Sequence, residues 1–182
     1  MFKIFIMINL KNNINFKKQI GLLFYLFIII STSGAQNDCA CCTDYHKQFD
    51  FWVGEWVVYD TAGTKLGENN IVKLEDNCIL NEHWKGAKGS TGRSYNYFDL
   101  SDSTWNQLWI DNQGGSLVLK GKAEDNKMVL QSKLIKGKKV DWYRNRITWT
   151  NNDDGSVTQF WEILDTNGNQ LAVAFKGIYK RK

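Results

Sequence analysis

The sequence contains no proline and only two histidines, His46 and His83. Without proline there is no ring-locked hinge and no favourable cis turn. With two isolated histidines, neither in a triad context, little is available for acid–base or metal chemistry. No G-x-S-x-G motif occurs, and no glycine-rich phosphate loop opens a helix. No pair of C-x-x-C motifs occurs, and adjacent Cys41 and Cys42 near His46 are poorly placed to share one tetrahedral ion. Glu55, Glu82, Asp111 and Glu162 fall in different predicted strands, and no spacing pairs them across a cleft. Asp165-Thr-Asn-Gly-Asn169 has the opening spacing of a calcium loop. Lys176 stands where that loop needs its last glutamate, so a hairpin turn is expected there.

A long apolar run is also missing. The longest, Ile20 to Ile30, has 11 residues, against the roughly 20 needed to span a bilayer. It follows Lys3, Lys11, Lys17 and Lys18 and precedes Ser31-Thr-Ser-Gly-Ala35. A basic start, a short apolar centre and a small-x-small exit predict a signal peptide over residues 1–35, cleaved before Gln36. Asp38 precedes Cys39 where a lipoprotein needs a small residue, which argues against lipid attachment. An exported product, periplasmic or secreted, is expected, with no stable membrane insertion after cleavage.

Removing the leader also removes the apparent basicity. The chain has 23 Lys and Arg against 19 Asp and Glu, and four of the basic residues lie in the first 35 positions, where there is no acid. The remainder balances at 19 against 19, so no basic field argues for nucleic acid. Cys39, Cys41, Cys42 and Cys78 all follow the leader. In an oxidising compartment they are disulfide candidates, with Cys78 expected to close a long loop onto one of the other three.

From residue 51 onward the text consists of short alternating runs broken by Gly, Asn and Asp, which predicts strands and hairpins. Ten strands are expected, at 52–60, 68–74, 78–85, 93–99, 104–111, 116–123, 127–134, 140–150, 157–165 and 171–181. A helical turn is expected within 44–51. Residues 36–50 then form a cysteine-containing lead-in to a domain over 51–182. Short connections force antiparallel neighbours. So many strands must close or stack, and an all-β, up-and-down antiparallel barrel of about ten strands is the expected architecture, with a β-sandwich as the alternative.

Gly54-Glu-Trp56, opening the first strand, resembles the Gly-x-Trp signature of lipocalins and related calycins. That resemblance implies a tryptophan plugging one barrel end, under a basic residue of the last strand, Lys180 or Arg181 here. Residues 49–56, 105–111, 146–149, 159–162 and 177–182 resemble secreted bacterial lipocalin-like domains of unknown function. The resemblance implies a fold and no known activity. A more distant resemblance, to nitrobindin, implies a haem-bearing histidine late in the barrel. This chain has no histidine after His83, so no haem, and no other cofactor, is expected.

Alternation along strands assigns side chains to two faces. Taking Trp56 as inward, the expected lumen set is Glu82 and Trp84, then Asn96, then Gln107 and Trp109. From the later strands come Arg146, then Gln159 and Trp161, then Phe175. Aromatic walls with a few polar groups suit a small apolar or amphipathic ligand, and Arg146 suits a carboxylate or carbonyl on it. Eight Trp, six Tyr and five Phe follow the leader, which is also enough to fill a small barrel. Three functions stay open: a ligand-binding module, a filled barrel acting through its surface, and an enzyme at the barrel mouth.

Overall fold

Asp111 ends a strand, Asp60 and Asp165 each follow one directly, and each ties down the turn that comes next. Their Oδ1 atoms accept backbone N–H groups two and four residues on: Ala62 and Thr64, Gln113 and Gly115, Asn167 and Asn169, all at 2.8–2.9 Å. In the first of these turns Gly63 takes φ 85°, a conformation that favours glycine. Asp165 therefore holds a hairpin, as expected.

The computed structural model describes residues 39–138 and 141–182. A short helix α1 (Asp44–Lys47) and a 3-10 turn (Asp50–Trp52) lead into eleven strands. These are β1 (Gly54–Tyr59), β2 (Lys65–Leu74), β3 (Ile79–Gly86), β4 (Thr91–Asp99), β5 (Thr104–Asp111), β6 (Ser116–Glu124), β7 (Lys127–Gln131), β8 (Ile135–Lys136), β9 (Trp142–Asn151), β10 (Val157–Leu164) and β11 (Gln170–Arg181). Sequential antiparallel pairing runs from β1 to β7, continues through β9 and β10 to β11, and returns to β1. The result is a closed antiparallel barrel of ten strands. The two-residue β8 lies outside that ring and, among the described residues, pairs only with β9. The run expected at 127–134 thus stops at Gln131, and its last residues belong to the connection before β8. Val140, the expected start of the next strand, lies outside the described residues, as does the predicted leader.

Side chains alternate as the period of two demands. Along β4, Gly92, Ser94, Asn96 and Phe98 are buried, whereas Arg93, Tyr95 and Tyr97 are exposed. The seam between first and last strands is fixed at Gly54-Glu-Trp56. Arg181 stacks its guanidinium 4.1 Å from the Trp56 ring centroid and donates to the Val53 carbonyl at 2.8 Å. Gly54 adopts φ 135°, and a Cβ there would meet Arg181 Nη1 at 2.1 Å. The glycine is required both for its backbone and for the close approach of the arginine.

One barrel end is filled. Phe49, from the lead-in segment, and Trp52, from the 3-10 turn that follows it, are 0% exposed. They stack at 4.9 Å, and Phe49 meets Trp105 and Trp149 at 5.7 and 5.2 Å. Trp56 donates through Nε1 to the Trp52 carbonyl at 2.8 Å. The segment is tied down by Lys73–Asp50 at 2.7 Å and by a disulfide from Cys41 to Cys78, in the turn between β2 and β3. Cys39 pairs with Cys42. Closing the long loop contributes about 3–4 kcal/mol in the chain-entropy model.

Candidate functional site

Above the filled floor the lumen stays open as a cavity of about 460 Å³. Its walls are tryptophans: Trp84 on β3, Trp109 on β5, Trp149 on β9 and Trp161 on β10, with Phe175 on β11. Its rim is the turn after β1 (Asp60, Thr64) and the turn after β3 (Ala87, Lys88). Large rings would close so narrow a space unless they lay against the sheet. Glycines beside them, on the neighbouring strand for Trp109 and Trp84 and two residues along β11 for Phe175, give them that room. A Cβ at Gly92 would meet Trp109 Cζ2 at 2.2 Å, at Gly67 it would meet Trp84 Cη2 at 2.6 Å, and at Gly177 Phe175 Cε1 at 2.7 Å. The rings occupy the volume that those absent side chains vacate.

Between floor and cavity runs a belt of polar groups. Tyr179 donates to Gln159 Oε1 and accepts from Asn69 Nδ2 at 3.4 Å. Asn69 Nδ2 also donates to Glu82 Oε1 at 2.7 Å, and Ser94 Oγ donates to Glu82 Oε2 at 2.6 Å. Asn96 donates to Ser94 Oγ at 2.9 Å and accepts from Gln107 Nε2 at 2.7 Å. Mutual bonding is what lets these groups be buried at tolerable cost. Glu82 is the charged member. Among the described residues it forms no ion pair. Burial pushes its carboxyl up to about 7, against the bonds from Ser94 and Asn69 that pull it down. Burial raises the Tyr179 phenol too, and the neighbouring Glu82 charge adds to that.

Of the nine residues expected in the lumen, seven line this one cavity: Glu82, Trp84, Gln107, Trp109, Gln159, Trp161 and Phe175. Asn96 lies buried in the belt, bonded to Gln107. Arg146 does not join them. In the β9–β10 ladder Ile147 faces Trp161 and Trp149 faces Gln159, so Arg146 and its partner Glu162 take the opposite, outer face. There Arg146 binds Glu162 through Nε and Nη2 at 3.0 and 2.9 Å. The expectation of an arginine beside Glu82 is therefore corrected. Apolar Ile147 and Trp149 take the inside of β9, and the partly exposed Arg146 stays outside, where water is available. Val173, two residues before Phe175, is turned outward. A bulge at Ala174 puts it opposite Glu162, whereas Phe175 keeps its place opposite Trp161.

Sequence reasoning left Tyr179, Trp149 and Leu117 out of the lining. The first two carry a signal: Tyr179 alternates with Phe175, and Trp149 shares the apolar parity of Ile147. His83 lies outside on β3, and His46 is buried against Phe98 with Thr43 Oγ1 2.8 Å from its Nδ1. Among the described residues no group of three or more His, Cys, Asp or Glu is placed to hold a metal ion.

The closed ten-strand antiparallel barrel is compatible with a lipocalin or calycin fold. No protein-family model matches the chain, and no curated protein matches it by sequence.

Proposed function

We propose that this chain is an exported lipocalin-like protein that holds a small apolar or amphipathic molecule in its barrel. The supporting observation is the cavity itself: about 460 Å³ walled by five aromatic rings, above a floor packed without it. That volume lies within the usual range for small-molecule sites. An apolar wall with a short polar belt at its base suits a molecule with one polar end, inserted polar end first. The resemblance at Gly54-Glu-Trp56 and the predicted leader support export and the lipocalin likeness. The seated Arg181 over Trp56 supports the same likeness.

The purified protein incubated with a mixed pool of lipids and metabolites is expected to retain an adduct in native mass spectrometry. Leu117→Trp, which fills the lumen from β6, should lose it while keeping the far-ultraviolet circular dichroism and the cooperative unfolding of the fold. No adduct from any pool would overturn the reading in favour of a barrel that acts through its surface.

A further inference from the structure

We propose that the lumen selects organic cations: an aromatic or alkyl body against the tryptophan walls, and a protonated amine seated on Glu82. This rests on the lumen-binding reading above and specifies its ligand class. The first observation is the sign of the charge. With Arg146 outside, the lone ionisable carboxylate among the described cavity residues below the rim is Glu82, 5% exposed and without a cationic partner. A buried carboxylate of that kind lacks the counter-charge that would make its burial favourable, and a ligand ammonium supplies it. The second observation is the wall. The rings of Trp84, Trp109, Trp149 and Trp161 line the same cavity as Glu82, and indole rings attract cations more strongly than other side-chain rings do. A third is the belt's surplus of acceptors. Among the described residues both Glu82 oxygens receive only one protein donor each, and Asn69 Oδ1 is buried without any. An ammonium brings three donors.

The surroundings of Glu82 also make binding depend on pH. From β2, β4, β5 and β10 it is faced by Asn69, Ser94, Asn96, Gln107 and Gln159, none of which titrates. Tyr179 on β11 does, but far above neutrality. Asp60, Lys65 and Lys88 sit at the rim, and Lys65 is engaged by Glu68 at 2.7 Å. The proton that competes with a ligand amine is therefore Glu82's own, held up to about 7 by burial. Uptake belongs to mildly alkaline pH and release to mildly acidic pH.

Three probes of one shape separate the claims: naphthalen-1-ylmethylamine, naphthalen-1-ylmethanol and naphthalene-1-carboxylate, titrated calorimetrically into the purified protein. At pH 8 the amine is expected to bind at least about tenfold tighter than the alcohol, and the carboxylate weakest. Between pH 7 and pH 5.5 the amine's affinity should fall by up to about tenfold per unit, while the alcohol's stays flat. Glu82→Gln should abolish the amine preference and its pH dependence and leave alcohol binding in place. Should that variant misfold, the wild-type comparison of amine with alcohol across pH decides alone. Equal affinities for amine and alcohol, or tighter binding of the carboxylate, would overturn the cation assignment and leave lumen binding standing. Failure of all three probes would overturn both.

Discussion

The two halves of the barrel are built from the same kinds of side chain and end in opposite states. At the floor, Trp52, Trp56, Trp105 and Phe49 are at most 2% exposed and interlock edge to face and face to face. Towards the mouth, Trp84, Trp109, Trp161 and Phe175 are only partly covered and surround empty space. Aromatic content does not distinguish the halves. What distinguishes them is what lies opposite each ring. At the floor the stretch ahead of β1 delivers two further rings, Phe49 and Trp52, into the barrel end. Towards the mouth, glycines on adjacent strands draw rings back against the sheet. A filled core and a cavity are thus set by partners and not by the aromatic residues themselves.

Four experiments bear on that contrast. The largest effect is expected at the floor, where Trp52→Ala should cost about 3–5 kcal/mol in chemical denaturation, because a filled site with no slack leaves a cavity. Glu82 comes next. Its folded-state carboxyl titrates near 7 and its unfolded one near 4.3, so the native state retains the proton over a range in which the unfolded chain releases it. Stability should therefore fall by about 3 kcal/mol as pH rises from 4.5 to 7, then level off. Glu82→Gln should flatten that slope in parallel urea titrations. Asp60, Asp102, Asp154 and Asp165, held low by hydrogen bonds, act only on further acidification. Third, Gly92→Val should push Trp109 into the lumen, costing about 1–3 kcal/mol and displacing bound probe. The smallest effect is expected on the outer face. Arg146→Ala should cost about 1–2 kcal/mol by leaving the buried Glu162 carboxylate unpaired, with probe affinity unchanged. A loss of binding there would restore Arg146 to the site.

Much of the fold was legible because turn chemistry and strand alternation are local. Asp60, Asp111 and Asp165 mark their hairpins in the text itself, and the inward parity of β3, β4 and β5 follows from one chosen residue in each. The failures came where parity had to be chosen between two mixed faces. On β9 alternation alone assigns Arg146 to the ligand, although Ile147 and Trp149 make the better interior. On β11 the bulge at Ala174 breaks the period, and nothing in Val173-Ala-Phe175 announces it. The open upper lumen was not legible at all, since it depends on contacts such as Gly92 with Trp109, which register alone creates.

The seam at Trp56 and Arg181 has a consequence for how the chain folds. Its partners lie about as far apart in sequence as the domain allows, with Lys182 N–H reaching the Glu55 carbonyl at 3.0 Å and Val57 opposite Lys180. Every other barrel pairing except that of β7 with β9 joins consecutive strands and closes a short loop, whereas this one carries the largest ordering entropy. Closure is thus expected to be the late, rate-setting event. Until the final dozen residues emerge and dock, β1 and β10 present bare edges to any neighbouring chain. Shortening the C-terminus by a single strand would turn a self-contained ring into a ribbon with two adhesive rims.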